Sequence, residues 1–165
     1  MTPTEPWTQA QLVIDETALA SNWAACAQRT DSRIMAVVKA NGYGLGLLEY
    51  AQVLIRLGAD ALAVHHPGEA LMLRQSGVTL PILLLAACPA DRLAEMIQAG
   101  IQLTVDSPWQ LEQIHAVQMA LGRTAQVHLS VDTGMGLGGL RMAHLPEVAR
   151  GLRSMEVVGT YTHFA

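Results

Sequence analysis

The chain has 165 residues and 51% of them are hydrophobic, which suits one folded domain and excludes a disordered chain. The formal net charge of −4 gives no electrostatic reason to expect nucleic acid or an anionic membrane as partner. No apolar run approaches the roughly 18 residues of a membrane-spanning helix, and no secretory signal opens the N-terminus. Cys26 and Cys88 lie far apart without CxxC spacing, which predicts free thiols and a cytoplasmic location.

Short apolar runs rich in β-branched residues predict six strands, over 34–38, 61–65, 81–86, 101–105, 125–131 and 156–161. Helical spacing occupies the stretches between them, over 46–57, 67–76, 89–99 and 107–121. Each of these helices is followed by a glycine, the usual left-handed stop: Gly58, Gly77, Gly100 and Gly122. A helix is also expected over 16–28, with Leu19, Trp23 and Ala27 on one face, and a separate strand over 11–14.

Alternating strands and helices predict an α/β fold with a parallel sheet, and the continuous apolar runs predict strands buried on both faces. Two architectures fit this order, an open doubly wound sheet and a (β/α)8 TIM-type barrel. A full barrel needs eight strands and about 250 residues, whereas this sequence offers six strands. We therefore expect one domain over 1–165, either an open sheet or a partial barrel.

Polar residues follow most of the predicted strands. In parallel α/β folds, ligands bind at the carboxyl ends of the strands. The residues at those ends are expected to lie along one edge of the sheet: Lys39, His65, His66, Ala87, Cys88, Asp106, Ser107, Asp132, Thr133, Thr162 and His163.

Lys39 is the only lysine in the chain and ends the first predicted strand. Three glycines follow within seven residues (Gly42, Gly44 and Gly46), which lets the backbone turn tightly near a ligand. A lysine at the end of a buried strand is partly desolvated, which favours the neutral, nucleophilic amine that bonds to a carbonyl carbon. From this position alone, a lysine that extends into solvent is the alternative.

A second glycine-rich segment spans 132–141, and Gly134, Gly136 and Gly139 in it fit GxGxxG. That pattern raises a dinucleotide-binding alternative, which needs an acidic residue at the end of the next strand. The nearby acid, Glu156, begins that strand instead. The six histidines form no HExxH motif, so no metal site is predicted.

The segment AVVKANGYGLG, over 36–46, resembles the pyridoxal 5′-phosphate (PLP) attachment motif of the alanine racemase family, which are fold-type III PLP enzymes. The glycine-rich segment VDTGMG over 131–136 and the segment GTYTHFA over 159–165 are similar to family segments after the fifth and sixth strands. The resemblance covers nearly the whole chain. It implies the N-terminal part of the barrel, PLP as cofactor and the interconversion of L- and D-alanine.

The resemblance also implies roles for individual residues. Lys39 would hold the cofactor covalently and act as the base on one face of the substrate. Tyr43 would bind the phosphate, and His163 would lie against the cofactor ring. Leu137 stands where the family has an arginine for the substrate carboxylate, so Arg141 is a substitute only if the loop is shifted.

The family's chain continues through two more βα units into a C-terminal β-domain that supplies the opposite base, and it forms homodimers. We therefore expect an incomplete domain with weak or no racemase activity. Open sheet edges predict self-association or aggregation. A non-catalytic PLP-binding or carrier protein and an inactive fragment are the alternatives.

Overall fold

The computed structural model describes residues 13–164, which belong to two compact units, 1–32 and 33–165. The first unit contains helix α1 (Glu16–Ala27), which begins where Asp15 Oδ1 accepts hydrogen bonds from two backbone N–H groups. As expected, Leu19, Trp23 and Ala27 are half-buried. Of the strand expected over 11–14, residues 11 and 12 lie outside the described residues, and 13 and 14 form no strand.

The second unit alternates strands and helices in the predicted order. Its strands are β1 (Met35–Val37), β2 (Ala61–Val64), β3 (Ile82–Leu84), β4 (Gln102–Val105), β5 (Gln126–Ser130) and β6 (Glu156–Tyr161). Its helices are α3 (Leu47–Arg56), α4 (Pro67–Gln75), α5 (Leu93–Gln98), α6 (Pro108–Leu121) and α7 (Leu145–Gly151), and the short segment α2 (Lys39–Tyr43) is a turn whose inner residues have non-helical backbone angles. Short 3₁₀ turns occupy Ala90–Arg92, Met142–His144 and Leu152–Ser154.

All six strands are parallel, and their order in the sheet is their order in the chain. A doubly wound sheet reverses its strand order at a switch point, and this sheet does not. The sheet is a partial TIM-type barrel of six strands, so the barrel prediction is confirmed and the open-sheet alternative is wrong.

The prediction that the strands are buried on both faces is confirmed for part of the sheet only. Every residue of β2, β3 and β4 is buried, whereas only Val127 of β5 is buried and β6 has no buried residue. The reason is that β6 is an edge of the described sheet, and that β5 alternates polar residues with apolar ones.

Helix ends follow the predicted chemistry. All four expected glycines have positive φ, from 61° to 99°. Pro67 and Pro108 begin α4 and α6, where a missing N–H costs little. No helix among residues 13–164 has both the length and the apolar character needed to cross a membrane.

Candidate functional site

A cavity of about 390 Å³ lies at the carboxyl ends of the strands of the second unit. It brings together three of the residues singled out in the sequence, Lys39, Tyr43 and His163. Leu137 also lines it. The volume is within the range of about 300 to 1,000 Å³ that is typical of small-molecule sites.

Lys39 enters this cavity directly after β1. The preceding residue, Val38, is fully buried, and its N–H donates to Ala63 O at 2.8 Å in β2. Lys39 itself is half-buried. Among residues 13–164, its side-chain amine has no hydrogen-bond or ion-pair partner, which leaves the nitrogen open to a ligand.

The turn that follows Lys39 is left-handed over five residues in succession. Ala40, Asn41, Gly42, Tyr43 and Gly44 have φ values of 55°, 54°, 64°, 54° and 87°. A non-glycine residue in this region costs roughly 1–2 kcal/mol. Gly42 also lies close to α3, because a Cβ there would lie 3.2 Å from the Tyr50 Cβ, tighter than an ordinary contact. The glycine-rich turn was predicted, but the left-handed alanine, asparagine and tyrosine were not.

Hydrogen bonds from outside the turn hold this strained conformation. Asn41 N–H donates to Glu69 Oε1 at 2.9 Å, and Asn41 Oδ1 accepts from Leu47 N–H at 2.9 Å. Gly42 N–H donates to Val38 O at 3.0 Å. The turn places Tyr43 on the wall of the cavity, four residues after Lys39.

The glycine-rich segment after β5 forms a second wall of the cavity. Asp132 Oδ1 accepts from Gly134 N–H at 2.9 Å and from Gly136 N–H at 3.1 Å. These two backbone hydrogen bonds hold the pKa of the Asp132 carboxyl below its usual value. Leu140 N–H donates to Ser130 O at 2.7 Å, which closes the loop back onto β5.

No helix begins at these glycines. The next element is the 3₁₀ turn Met142–His144, so the segment lacks the helix N-terminus that receives a pyrophosphate in dinucleotide-binding folds. The dinucleotide alternative is therefore wrong.

Hydrogen bonds join the end of β6 to the end of β5 just before His163. Thr162 Oγ1 donates to Val131 O at 2.7 Å and lies 2.7 Å from Thr133 Oγ1. Tyr161 also lines the cavity, but its hydroxyl donates to Leu85 O at 3.1 Å. The position of His163 thus follows from a tightly paired strand end.

The two residues considered for substrate binding lie in different places. Leu137 is 71% exposed and lies on the cavity wall. Arg141 is exposed and is not among the residues that line the cavity, although its charge contributes to lowering the pKa of Asp132, which does line it.

The other polar residues at strand ends take two different roles. His65 lines the cavity, as its position at the end of the second predicted strand indicated. His66 instead caps α4, and Ser107 caps α6.

Cys88 is buried, and burial raises the pKa of its thiol to about 11. Within the described part of the chain, no group of three or more His, Cys, Asp or Glu residues could hold a metal ion.

Comparison with known proteins identifies the family. Residues 14–165 match the family model for "Alanine racemase, N-terminal domain". Alanine racemase of Mycolicibacterium smegmatis is 41% identical over 160 residues, which is 96% of this chain and 41% of that protein. Alanine racemase of Salinispora tropica is 37% identical over 162 residues, which is 94% of this chain and 44% of that protein.

Solved structures agree in fold. Alanine racemase from a D-cycloserine-producing Streptomyces lavendulae superposes with a TM-score of 0.85 at 34% identity, covering 92% of this chain and 42% of that one. A histidine racemase from Leuconostoc mesenteroides gives a TM-score of 0.85 at 27% identity, covering 91% of this chain and 42% of that one. The chain therefore spans about two fifths of the length of the relatives it matches. It belongs to the alanine racemase family, and the match lies in the family's N-terminal domain.

Proposed function

We propose that this chain binds PLP covalently through Lys39 and acts as the N-terminal domain of an amino-acid racemase, with alanine as the first substrate to test. The observation that carries the proposal is the unpaired amine of Lys39, half-buried in a cavity at the carboxyl ends of the strands. The names of the relatives support the reaction class, which this chain would share as the N-terminal domain of such an enzyme.

The residues present fit this cofactor. The Lys39 amine is available for attachment, the Tyr43 hydroxyl can donate to a phosphate, and the His163 ring can lie beside an aromatic ring. Leu85 and Leu137 add apolar surface for a pyridine ring. Bound PLP would supply the electron-accepting ring and imine that stabilise the negative charge left when an α-proton departs.

The chain's own contribution is to bind and to move a proton. Lys39 would hold the cofactor and, with an amino acid bound in the cavity, would be placed to accept the α-proton at its side-chain nitrogen. Return of a proton from the opposite face inverts the centre. The Tyr161 hydroxyl is a poor opposite base, because it already donates to Leu85 O and lies 3.0 Å from Thr104 Oγ1.

Substrate binding is the weaker part of the site. Leu137 presents no charge to a carboxylate, and no arginine is among the residues that line the cavity. A missing hydrogen bond to a charged group corresponds to about 1.5–3 kcal/mol. The family resemblance also implies that the opposite base lies outside these 165 residues, and loss of a general base costs about 10²- to 10⁴-fold. We therefore propose that the 165-residue chain on its own racemises alanine more slowly than a full-length relative by about that factor.

A non-catalytic PLP-binding role is the second candidate, and the apolar Leu137 favours it. The racemase role predicts exchange of the alanine α-proton with solvent deuterium in the presence of PLP, which Lys39→Ala should abolish. A carrier role predicts bound PLP without this exchange. Racemisation at the rate of a full-length relative would contradict the proposed deficit.

The test of attachment is borohydride reduction after PLP addition, followed by peptide mapping. We expect the label on Lys39 in the wild-type chain and none on that peptide in Lys39→Ala. Since the chain has no other lysine, the α-amino group is the one competing amine. Label confined to the N-terminal amine would contradict the assignment of Lys39 as the attachment residue.

We also propose that the 165-residue chain, when isolated, self-associates. Both β1 and β6 are edges of the described sheet, and Val157 and Val158 of β6 are 44% and 37% exposed. Unpaired apolar edges promote strand-to-strand association. Size-exclusion chromatography with light scattering should show species larger than 17.7 kDa, and a clean monomer would contradict this proposal. A cytoplasmic location remains a prediction, which fractionation of the source cells would test.

A further inference from the structure

The carboxylate of Glu69 joins two separate parts of the backbone beside the cavity. Its Oε1 accepts from Asn41 N–H at 2.9 Å, and its Oε2 accepts from His66 N–H at 3.3 Å. Asn41 is 28 residues earlier in the chain, in the left-handed turn. One half-buried side chain therefore ties that turn to the N-terminus of α4.

The turn needs such a tie because its conformation is not one that its residues prefer. Three of its five left-handed residues carry a Cβ: Ala40, Asn41 and Tyr43. Strained backbone persists only where the surroundings hold it. Asn41 is held at both ends, by Glu69 through its N–H and by Leu47 through its side chain.

Lys39 and Tyr43 flank the tied residue, two positions before it and two positions after it. Both line the cavity. A change in the backbone at Asn41 would therefore alter the direction of both side chains together. Sub-ångström placement of such groups depends on the residues that support them.

The two oxygens of Glu69 have separable roles. The Oε2 bond to His66 N–H completes a capping box with the His66 side chain, which accepts from Gly68 N–H at 3.1 Å. The Oε1 bond to Asn41 takes no part in that cap. A residue that only capped α4 would not need its second oxygen directed at a turn 28 residues away.

We infer that Glu69 is a positioning residue for Lys39, which it orients by holding the left-handed turn. The inference rests on the proposed function in that Lys39 is taken as the residue that binds the cofactor. Glu69 holds the turn in the cofactor-free chain as well, so its effect on the turn is also measurable without PLP.

The experiment compares Glu69→Ala and Glu69→Gln with wild type by two measurements. The first is the PLP concentration that gives half-maximal borohydride labelling of Lys39. The second is the hydrogen-exchange rate of the Asn41 amide in the cofactor-free chain. Two variants serve as controls: His66→Ala removes the side-chain cap of α4 but leaves the Asn41 bond, and Glu95→Ala removes a carboxylate of α5 that pairs with Arg92 at 2.7 Å.

In Glu69→Ala we expect the half-maximal PLP concentration to rise about tenfold and the Asn41 amide to exchange about tenfold faster, the scale of one lost charged hydrogen bond. Glu69→Gln should show a smaller change, because an amide oxygen can still accept from Asn41. His66→Ala and Glu95→Ala should label like wild type.

Wild-type labelling in Glu69→Ala would overturn the inference, and so would an equal loss in His66→Ala, since that result reports a capping role. If Glu69→Ala does not fold, Glu69→Gln is judged by the same two measurements. If wild type is not labelled at Lys39, the proposed function fails, and the Asn41 exchange rate alone decides. An unchanged rate in a folded Glu69 variant would overturn the positioning role.

Discussion

Gly138 and Gly139 are adjacent glycines for which the structure predicts unequal consequences of the same substitution. Both have positive φ, 96° and 118°, so alanine is strained at either position. At Gly138 an added Cβ meets no atom within 4 Å. At Gly139 it would lie 2.8 Å from Asp132 N and 3.2 Å from Val131 C, which are backbone atoms that cannot rotate away.

The expected magnitudes follow from these distances. Gly138→Ala should cost the backbone strain alone, about 1–3 kcal/mol. Gly139→Ala should cost that strain and also displace the backbone at Asp132, whose N–H donates to Leu140 O at 3.1 Å. The Leu140 N–H bond to Ser130 O belongs to the same closure, and each bond contributes about 1 kcal/mol. We therefore expect Gly139→Ala to be about 2 kcal/mol more destabilising than Gly138→Ala.

Urea unfolding followed by circular dichroism measures the free energy of unfolding of both variants and of wild type. The comparison is matched, because the two sites are neighbours and the added group is the same methyl. Equal destabilisation by the two substitutions would refute the argument from the close approach at Gly139. A larger effect at Gly138 would mean that the loop adopts another conformation.

Three further predictions concern side chains with defined partners. Backbone N–H groups lower the pKa of Asp132, so its carboxylate stabilises the loop fully above the ordinary pKa of 3.8, and this stabilisation is lost as the pH falls through the lowered pKa. Asp132→Asn should remove this acid dependence, which urea unfolding of wild type and variant at several pH values would measure. The Cys88 thiol, with its pKa raised to about 11 by burial, should react with a thiol reagent far more slowly than exposed Cys26 at neutral pH, and unfolding should abolish the difference. His66→Ala should lower the free energy of unfolding by about 1 kcal/mol through loss of the α4 cap, with His66→Asn close to wild type; equal losses in both would contradict the capping role.

The strands and helices could be predicted from sequence because each depends on a local pattern. The apolar runs, the prolines at helix starts and the glycines at helix ends all act within a few residues. The predicted runs are up to three residues longer than the strands, as for β3, which covers Ile82–Leu84 of the predicted 81–86. Lys39 could be singled out because a lone lysine at the end of an apolar run is conspicuous without any tertiary information.

The left-handed turn could not be predicted in the same way. Its conformation depends on Glu69, whose bond to Asn41 spans 28 residues, and no local pattern in the turn signals it. The closure of the 132–141 loop by the Leu140 N–H onto Ser130 O is likewise a contact that the glycine count does not reveal.

Polar residues that link β4, β5 and β6 show why apolar content alone misjudged the burial of β5 and β6. His128 Nε2 lies 2.9 Å from Gln102 Oε1, and Gln102 Nε2 donates to Gln126 Oε1 at 3.4 Å. Gln126 Nε2 in turn donates to Glu156 Oε2 at 3.1 Å. Since the Gln102 oxygen can only accept, His128 must donate from Nε2, and the donors then run in one direction toward the carboxylate.

This row of side chains also constrains the strand register. Gln126 is paired with Glu156 across β5 and β6, and a slip of one residue would turn their side chains to opposite faces. The glutamine amides would then lose partners, each at the cost of an unsatisfied polar group. These polar residues therefore favour one alignment at the start of β5 and β6, and the register shifts between Val127 and His128 before the strands reach the cavity.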